Sequence, residues 1–546
     1  MSIWSTIASK LKEVISKMVG ARTIEQTIHV TPIMSSQMEN AIQLWTDMYK
    51  DQAPWLHEPS WDDPTRVVSL GLPALIASEK ARTALLEFRS EITTPTEEVE
   101  VANPNYKPAE PDELGNIIPT MESPALIQDK PVTSIDRADY LESQYKKLKK
   151  QLRKQIEYGI AKGGLIIKPY VVANEVDGKD TDWQIEFDFI QADAFFPLAF
   201  DASGQITEAA FIQTQVEKDV TYRRLEYHKW QNNSVQIINK AFKSTNNTNQ
   251  GDMSGIDLGQ KVPLSSVSSW KNLKDSTTIK NIQKPLFAYF RMPEANTIDT
   301  SSPLGVSGYS RTVNLIKDAD MQYSRLLWEY EAGEMAIDVD RDALNFMETD
   351  SGEHGSVMTH LQQRLYRKID ISQTGETYNP YAPALRDSSY TQGLNTILMR
   401  IEDANGLSRG TISDASTEAR TATEIKILKQ RSYQTNADIQ QAIEEALQDV
   451  VYIMNAYCDL YEITPDGEYD VSFEWDDSII VDVDSELGKQ ITLLQNGLTS
   501  KEEVRMWYFG ETERQAKEAL LKINQEGMQD MENEFAMQVG MNNSEE

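Results

Sequence analysis

The spacing of apolar positions predicts helix-rich and strand-rich regions along the chain. Apolar residues recur every three to four positions after Asp136, which predicts a long helix that we expect to end at Gly159. Between residues 165 and 243, runs of alternating apolar and polar residues are separated by turn signals, a pattern typical of an antiparallel sheet. The predicted fold class is therefore α+β.

A second helical region follows this sheet. The pattern predicts a helix over 311–332, short strand-like pieces within 335–390, and a helix over 391–405 that ends at Asn405-Gly406. Two helices that flank a small inserted module predict a stalk with a tip. Further on, a strand pair at 468–475 and 478–483 leads into C-terminal helices.

Residues 406–420 connect the second of these helices to a longer helix. The run G-L-S-R-G-T-I-S-D-A-S-T-E-A-R has no apolar period, so it predicts a mobile, charged loop. Its charges nearly balance, because Arg409 and Arg420 oppose Asp414 and Glu418. The next residues, from Thr421 to Glu424, have the spacing of a capping box and predict the start of the long helix. Its apolar stripe is Ile425, Leu428, Ile439, Ile443, Leu447, Val451, Met454 and Cys458.

Two segments differ from these regular regions. Prolines recur through 93–134, which indicates an extended insertion without long helices or central strands. The N-terminal segment, 1–34, contains an amphipathic helical stripe from Ile3 to Met18. That helix either docks on the protein or a partner, which is the favoured interpretation, or lies on a membrane surface.

Composition and charge narrow the classes of function. The 546 residues carry a net charge of −32, so nonspecific binding of nucleic acid over the whole surface is excluded and any contact with DNA is local. The single cysteine, Cys458, excludes an intrachain disulfide framework and indicates a cytoplasmic setting. The sequence has no apolar run of the ~18 residues that a membrane span needs.

Catalytic patterns are sparse. The sequence lacks a P-loop, G-x-S-x-G, H-E-x-x-H and C-x-x-C, and its five histidines are scattered, so we expect no metal site and no cofactor. The acidic residues Asp476, Asp482 and Asp484 leave open a metal-dependent hydrolase, with Asp482 and Asp484 on one face of a strand. Carboxylates at turns and strand ends are the favoured interpretation. The basic run at 146–154 is likewise interpreted as a solvated helix face rather than a nucleic-acid site.

The order of these parts resembles the portal proteins of tailed bacteriophages, particularly siphophages of Gram-positive hosts. The resemblance extends over most of residues 40–525 and is most specific at T-A-T-E-I, D-D-S-I-I and G-L-T-S. It implies a ring-forming subunit with wing, stem, clip and crown regions. The implied regions are 35–310 for the wing (with the insertion 93–134 and a β region at 165–293), 311–334 and 391–405 for the stem helices, 335–390 for the clip, 406–420 for the tunnel loop, 421–497 for the long wing helix and a β segment, and 498–546 for the crown helices and tail.

The same resemblance implies a function. It implies a non-enzymatic, dodecameric ring at one capsid vertex, through which DNA is packaged and ejected without sequence specificity. The implied location is the host cytoplasm during assembly and then the virion. The implied partners are the terminase large subunit, the head-tail adaptor, and the major capsid and scaffolding proteins, with no membrane. The implied tunnel-loop residues are Ser408, Arg409, Asp414, Glu418 and Arg420, and the residues for partner contact at the clip are Arg364, Arg367 and Lys368, with Gly333 beside them. A hydrolase or a peripheral scaffold protein remains the alternative.

Overall fold

A computed structural model gives the architecture of most of the chain. It describes residues 24–30, 33–58, 65–86, 88–102, 125–176, 180–244, 258–340, 366–369, 378–414, 422–475 and 483–510, and short pieces within 516–523. The helices are α1 (Ile24–Ile28), α2 (Ser36–Tyr49), α3 (Leu72–Ala84), α4 (Asp136–Lys162), α5 (Val313–Ala332), α6 (Asp387–Asn405), α7 (Ala422–Leu460), α8 (Val483–Gln495) and α9 (Lys501–Phe509).

The strands confirm the mixed class. They are β1 (Arg89–Thr93), β2 (Thr96–Ala102), β3 (Ala125–Pro131), β4 (Gly164–Val176), β5 (Asp180–Gln191), β6 (Phe195–Phe200), β7 (Ile206–Glu217), β8 (Val220–Gln231), β9 (Ser234–Lys243), β10 (Gln260–Val262), β11 (Ser276–Lys280), β12 (Ala288–Arg291), β13 (Ala336–Asp340), β14 (Tyr366–Ile369), β15 (Tyr378–Tyr381) and β16 (Asp470–Glu474). The chain divides into two compact units, Met1–Trp475 and Asp476–Glu546. None of the described helices is long and apolar enough to cross a membrane.

Helix α4 is central to the core of the first unit. Its stripe of Leu141, Leu148 and Leu152 is buried, opposite the lysines, as the periodicity predicts. The predicted end at Gly159 is wrong, because the helix continues to Lys162 and ends at Gly163, which adopts the left-handed conformation. Gly159 is a packing position instead: a Cβ there would lie 2.8 Å from a ring carbon of Phe290.

The antiparallel sheet predicted for 165–243 is confirmed, although it forms two sheets. One has the order β12-β4-β5, and the other the order β10-β9-β8-β7-β6 with β11 also paired to β9. The hairpin turns at Lys218-Asp219 and Asn232-Asn233 have positive φ at both residues. This is the turn geometry that matches the twist of the flanking strands.

The sequence did not reveal the partner of β16. We expected it to pair with 478–483, but β16 pairs antiparallel with β1, with Ile92 opposite Val471. Residues 478–482 lie outside the described part, and Val483 already begins α8. Asp484 is therefore in a helix rather than on a strand face. At the ends of the Pro-rich insertion, β2 and β3 pair with each other, and 103–124 lie outside the described part.

In the second unit, Ser500 and Glu503, which have the spacing of a capping box in the sequence, form one at the start of α9. The Ser500 hydroxyl accepts the Glu503 amide of α9 while the Glu503 carboxylate accepts the Ser500 amide. Asp476 and Asp482 lie outside the described residues, so the geometry of the proposed acidic site is not described. The described part of the chain contains no cluster of three or more His, Cys, Asp or Glu side chains that could hold a metal ion.

Candidate functional site

Helices α5 and α6 form an antiparallel pair joined through a small sheet. The sheet has the order β14-β13-β15, with β13 and β14 parallel, and it follows α5 and precedes α6. The two helices approach closely, since a Cβ at Gly393 would lie 3.3 Å from the Gln322 side-chain nitrogen. The predicted stalk with a tip therefore corresponds to a pair of packed helices and a three-stranded module.

An ion pair fixes the end of the helix pair next to the small sheet. Glu329 accepts from the Arg386 backbone amide at 3.0 Å and from its guanidinium at 3.1 and 2.7 Å. These hydrogen bonds hold the pKa of Glu329 below its ordinary value. Gly333 lies at the same junction, where an added Cβ would collide with Leu385 and approach the Glu329 carbonyl. Gly333 therefore serves close packing, which accounts for its presence without a partner contact.

The opposite end of the pair is fixed by Asn405. Its amide donates to the Thr312 hydroxyl at 3.1 Å and to the Ile401 carbonyl at 2.8 Å. The next residue, Gly406, ends α6 in the left-handed conformation, and a Cβ there would collide with Thr435 of α7. Only glycine satisfies both requirements, so the predicted stop at Asn405-Gly406 is confirmed together with its physical cause.

Glu402 fastens the loop that follows α6. It is fully buried, and its Oε1 accepts from the backbone amides of Gly410, Ile412 and Ser413 at 3.1, 2.7 and 2.8 Å. Its Oε2 accepts from the Ser413 hydroxyl at 2.7 Å. We call this arrangement the Glu402 clamp. A buried carboxylate that accepts several N–H groups is well satisfied, because each donor offsets part of its desolvation.

Two further contacts hold the same loop. The Asp414 amide donates to the Asn395 side chain at 2.8 Å. The Arg409 guanidinium donates to both carboxylate oxygens of Asp403, at 3.2 and 2.8 Å, on the surface. The charge of Arg409 is thus matched by a residue of α6 rather than by the loop. Residues 406–414 lack helix and strand, as predicted, and hydrogen bonds tie them to α6; residues 415–420 of the predicted mobile loop lie outside the described part.

The structure brings together only some of the predicted site residues. Ser408, Arg409 and Asp414 share the fastened loop, in which the Ser408 carbonyl accepts from Thr411. Arg367 and Lys368 are on β14, opposite Asp338 and Val339 of β13 in the strand register. Glu424 is in the first turn of α7. The predicted residues that lie outside the described part are Glu418, Arg420, Thr421 and Arg364.

Sequence reasoning missed the residues that fasten this loop. Leu394 and Leu398 lead to Glu402 in steps of four, and Ile397 and Ile401 lead in the same way to Asn405. Polar side chains that continue two apolar rows of a helix indicate buried polar contacts. That signal was present in the sequence, whereas the identity of the contacting loop depends on the fold.

Comparison with known families now identifies the class of protein. A family model described as phage portal protein, SPP1 Gp6-like, matches residues 126–532, about three quarters of the chain. The chain therefore belongs to the SPP1 Gp6-like phage portal proteins. This family consists of structural rather than enzymatic proteins, which form oligomers at the capsid vertex. A comparison with individual curated proteins gave no match.

Proposed function

We propose that the protein forms a dodecameric ring at one capsid vertex, and that DNA is packaged and ejected through the axis of this ring. Family membership supports the class, and the Glu402 clamp is the observation that carries the more detailed proposal. In this proposal the ring docks the terminase large subunit first and the head-tail adaptor later. It also contacts the major capsid and scaffolding proteins during assembly in the host cytoplasm.

The proposal assigns a role to each region. Helices α5 and α6 are the stem, and the three-stranded module between them is the clip that meets the partners, with Arg364, Arg367 and Lys368 as contact residues. The sheets and α4 belong to the wing, α7 is the long wing helix, and residues 498–546 are the crown. The antiparallel pair with a small sheet at one end and a fastened loop at the other supports this order.

The Glu402 clamp suits a loop that works beside moving DNA. In this proposal residues 406–420 approach the channel axis, and 406–414 form a rigid base for the remainder. A base held by buried hydrogen bonds keeps the loop in one position relative to the stem while DNA slides past. A freely mobile base would not maintain a constant opening.

The charge distribution supports passage rather than tight binding. Each neutralised phosphate raises affinity for DNA, and tight binding would slow translocation. Arg409 is already paired with Asp403, and the chain as a whole carries a charge of −32. We infer that the channel contacts DNA weakly and without sequence specificity.

Deletion of residues 408–415 tests the role of the loop. In rings that still assemble, we expect the deletion to lower the amount of DNA packaged by purified procapsids and terminase. A control variant with Asn-Gly in place of Lys218-Asp219 changes an exposed hairpin turn to residues that suit its positive φ values. It should package normally. Undiminished packaging by assembled deletion rings would refute the assignment of the loop.

A further inference from the structure

The basic run of α4 separates into two groups. Lys147 and Lys149 are engaged within the subunit, with Glu186 at 2.9 Å and Glu142 at 3.1 Å respectively. The second group faces solvent. It consists of Lys146, Lys150, Arg153 and Lys154, which we call the basic stripe.

The members of the basic stripe make few contacts within the subunit. Lys146 lies 3.6 Å from Glu142, and the Lys154 ammonium lies 5.9 Å from the Tyr158 ring centre. Within the described part of the chain, Lys150 and Arg153 form no ion pair. Exposed like charges at successive turns of one helix repel one another, so the stripe is unfavourable in an isolated subunit. A partner that supplies carboxylates would relieve this repulsion.

A groove in the same unit has carboxylates on one wall, and we call it the acidic groove. It has a volume of about 480 Å³, and one wall is the solvent-facing side of α7, with Asp438, Gln441 and Glu445. Asp438 and Glu445 are exposed and form no ion pair with a lysine or arginine among the described residues. The lining also contains one cation, Arg291, whose guanidinium donates to the Pro303 carbonyl at 3.2 Å. The apolar part of the lining includes Ile206, Pro285, Phe287, Tyr289, Pro293 and Ala442. We call Asp438 and Glu445 the acidic rim.

The two surfaces match in spacing and in chemistry. Lys146 and Arg153 are seven residues apart, as are Asp438 and Glu445, so each pair spans about 10 Å along its helix. Lysine and arginine stems can cover apolar surface while their charged ends remain beside carboxylates. The groove therefore offers the basic stripe both apolar surface for the side-chain stems and carboxylates for the charged ends.

Association between copies of this chain also requires surfaces of opposite local charge. Two subunits of charge −32 repel each other unless their contact surfaces have complementary local charge. A head-to-tail ring presents two different surfaces per subunit, which must meet on every neighbour. The basic stripe and the acidic groove lie on different elements, α4 and α7, and are available for such a contact.

We propose that the basic stripe of one subunit docks in the acidic groove of the next subunit in the ring. Lys146 and Arg153 of one subunit then face Asp438 and Glu445 of its neighbour. The proposal deepens the proposed function, because it rests on the ring and identifies one of its contacts. The other occupant that fits a basic stripe, a nucleic acid, is an outcome of the test.

The test uses two full-length charge-reversal variants and their mixture. Variant one is Lys146→Glu with Arg153→Glu, and variant two is Asp438→Lys with Glu445→Lys. Each places like charges at the proposed contact, so we expect the protein concentration for half-assembly to rise about tenfold or more at low salt. Mass photometry and negative-stain imaging measure the rings.

Mixing gives a result that a folding defect cannot produce. In an alternating ring the reversed stripe of variant one meets the reversed rim of variant two, and the unchanged stripe and rim also meet. We therefore expect the mixture to assemble near the wild-type concentration, as alternating rings. A control variant, Lys271→Glu with Lys274→Glu, makes the same charge change at exposed residues away from both surfaces and should assemble normally.

The outcomes separate this inference from the proposed function. If the wild-type protein forms no rings under any assembly condition, the proposed function fails. If it forms rings and variant one assembles as readily as the wild type, the docking inference is overturned while the function stands. Failure of the mixture of the two variants to assemble also overturns the docking inference. Loss of binding to a DNA fragment in variant one, with assembly unchanged, would assign the stripe to nucleic acid instead.

Discussion

Replacing Glu402 by alanine is the sharpest test of how the loop after α6 is held. The carboxylate is fully buried and accepts four hydrogen bonds, three from backbone amides and one from the Ser413 hydroxyl. Alanine removes every acceptor and leaves a cavity at the end of α6. The amides of Ile412 and Ser413 then have no acceptor in the folded loop unless it opens to water, while the Gly410 amide keeps the Ser413 hydroxyl at 3.2 Å.

The size of the effect can be worked out from these contacts. A hydrogen bond to a charged group contributes about 1.5–3 kcal/mol, and a buried donor left without an acceptor costs about 1–3 kcal/mol. Gly410 is exposed and rehydrates easily, so the loss is counted only for the Ile412 and Ser413 amides and the Ser413 hydroxyl, at about 1 kcal/mol each. The free energy of loop opening should therefore fall by about 3 kcal/mol, which corresponds to about a hundredfold more open loop.

Native-state hydrogen exchange measures this opening directly. We expect the amides of Ile412 and Ser413 to exchange about a hundredfold faster in Glu402→Ala, while amides in the core of α4 are unchanged. Glu402→Gln keeps an oxygen for the three amides and loses only the charge, so about a tenfold effect is expected. Unchanged exchange at both amides in Glu402→Ala would refute the reasoning, because the clamp would then not hold the loop closed.

Three further predictions concern packing and ionisation. Gly333→Ala should lower the unfolding free energy in urea by about 1–3 kcal/mol because its Cβ would lie 2.9 Å from the Glu329 carbonyl and would also collide with Leu385, and adding Leu385→Ala should recover part of the loss. Gly488→Ala is the control, because its added Cβ meets no atom within 4 Å and should not destabilise the helix. A loss of unfolding free energy equal to that of Gly333→Ala would contradict the packing argument. Burial lowers the pKa of His228 from 6.5, so the unfolded chain binds the proton more tightly and stability should fall as pH drops below about 6.5. His228→Gln should flatten the pH dependence of urea unfolding between pH 7 and 5, and an unchanged curve would exclude this cause. Burial also raises the pKa of the Cys458 thiol to about 11, so Ellman's reagent at pH 8 should react only as the protein unfolds; rapid reaction of the native protein would contradict this.

Local sequence patterns correctly predicted the features that depend only on neighbouring residues. The stripe of α7 from Ile439 to Cys458 is buried as expected, because helical periodicity alone determines which side faces the core. The end of α6 at Gly406 and the capping box of α9 also depend on a few adjacent residues. Such features require no knowledge of the rest of the fold.

Contacts that depend on the tertiary fold could not be predicted from local sequence patterns. β16 pairs with β1, which precedes it by nearly 380 residues, and no local pattern identifies that partner. Gly159 resembles a helix stop, but a buried ring packs against it and the helix continues. The loop after α6 has the composition of a mobile segment, yet one buried carboxylate of the preceding helix fixes it. The composition of a loop does not show whether a neighbouring helix supplies hydrogen-bond acceptors for its backbone, as Glu402 does here.

In the proposed function this chain forms a ring with an open axis. Cryo-electron microscopy class averages of the purified full-length protein, with the mass measured by light scattering, test it most directly. We expect closed rings whose mass is a multiple of 61.9 kDa and whose central hole admits duplex DNA. A uniform compact dimer, at high protein concentration and with scaffolding protein present, would contradict it.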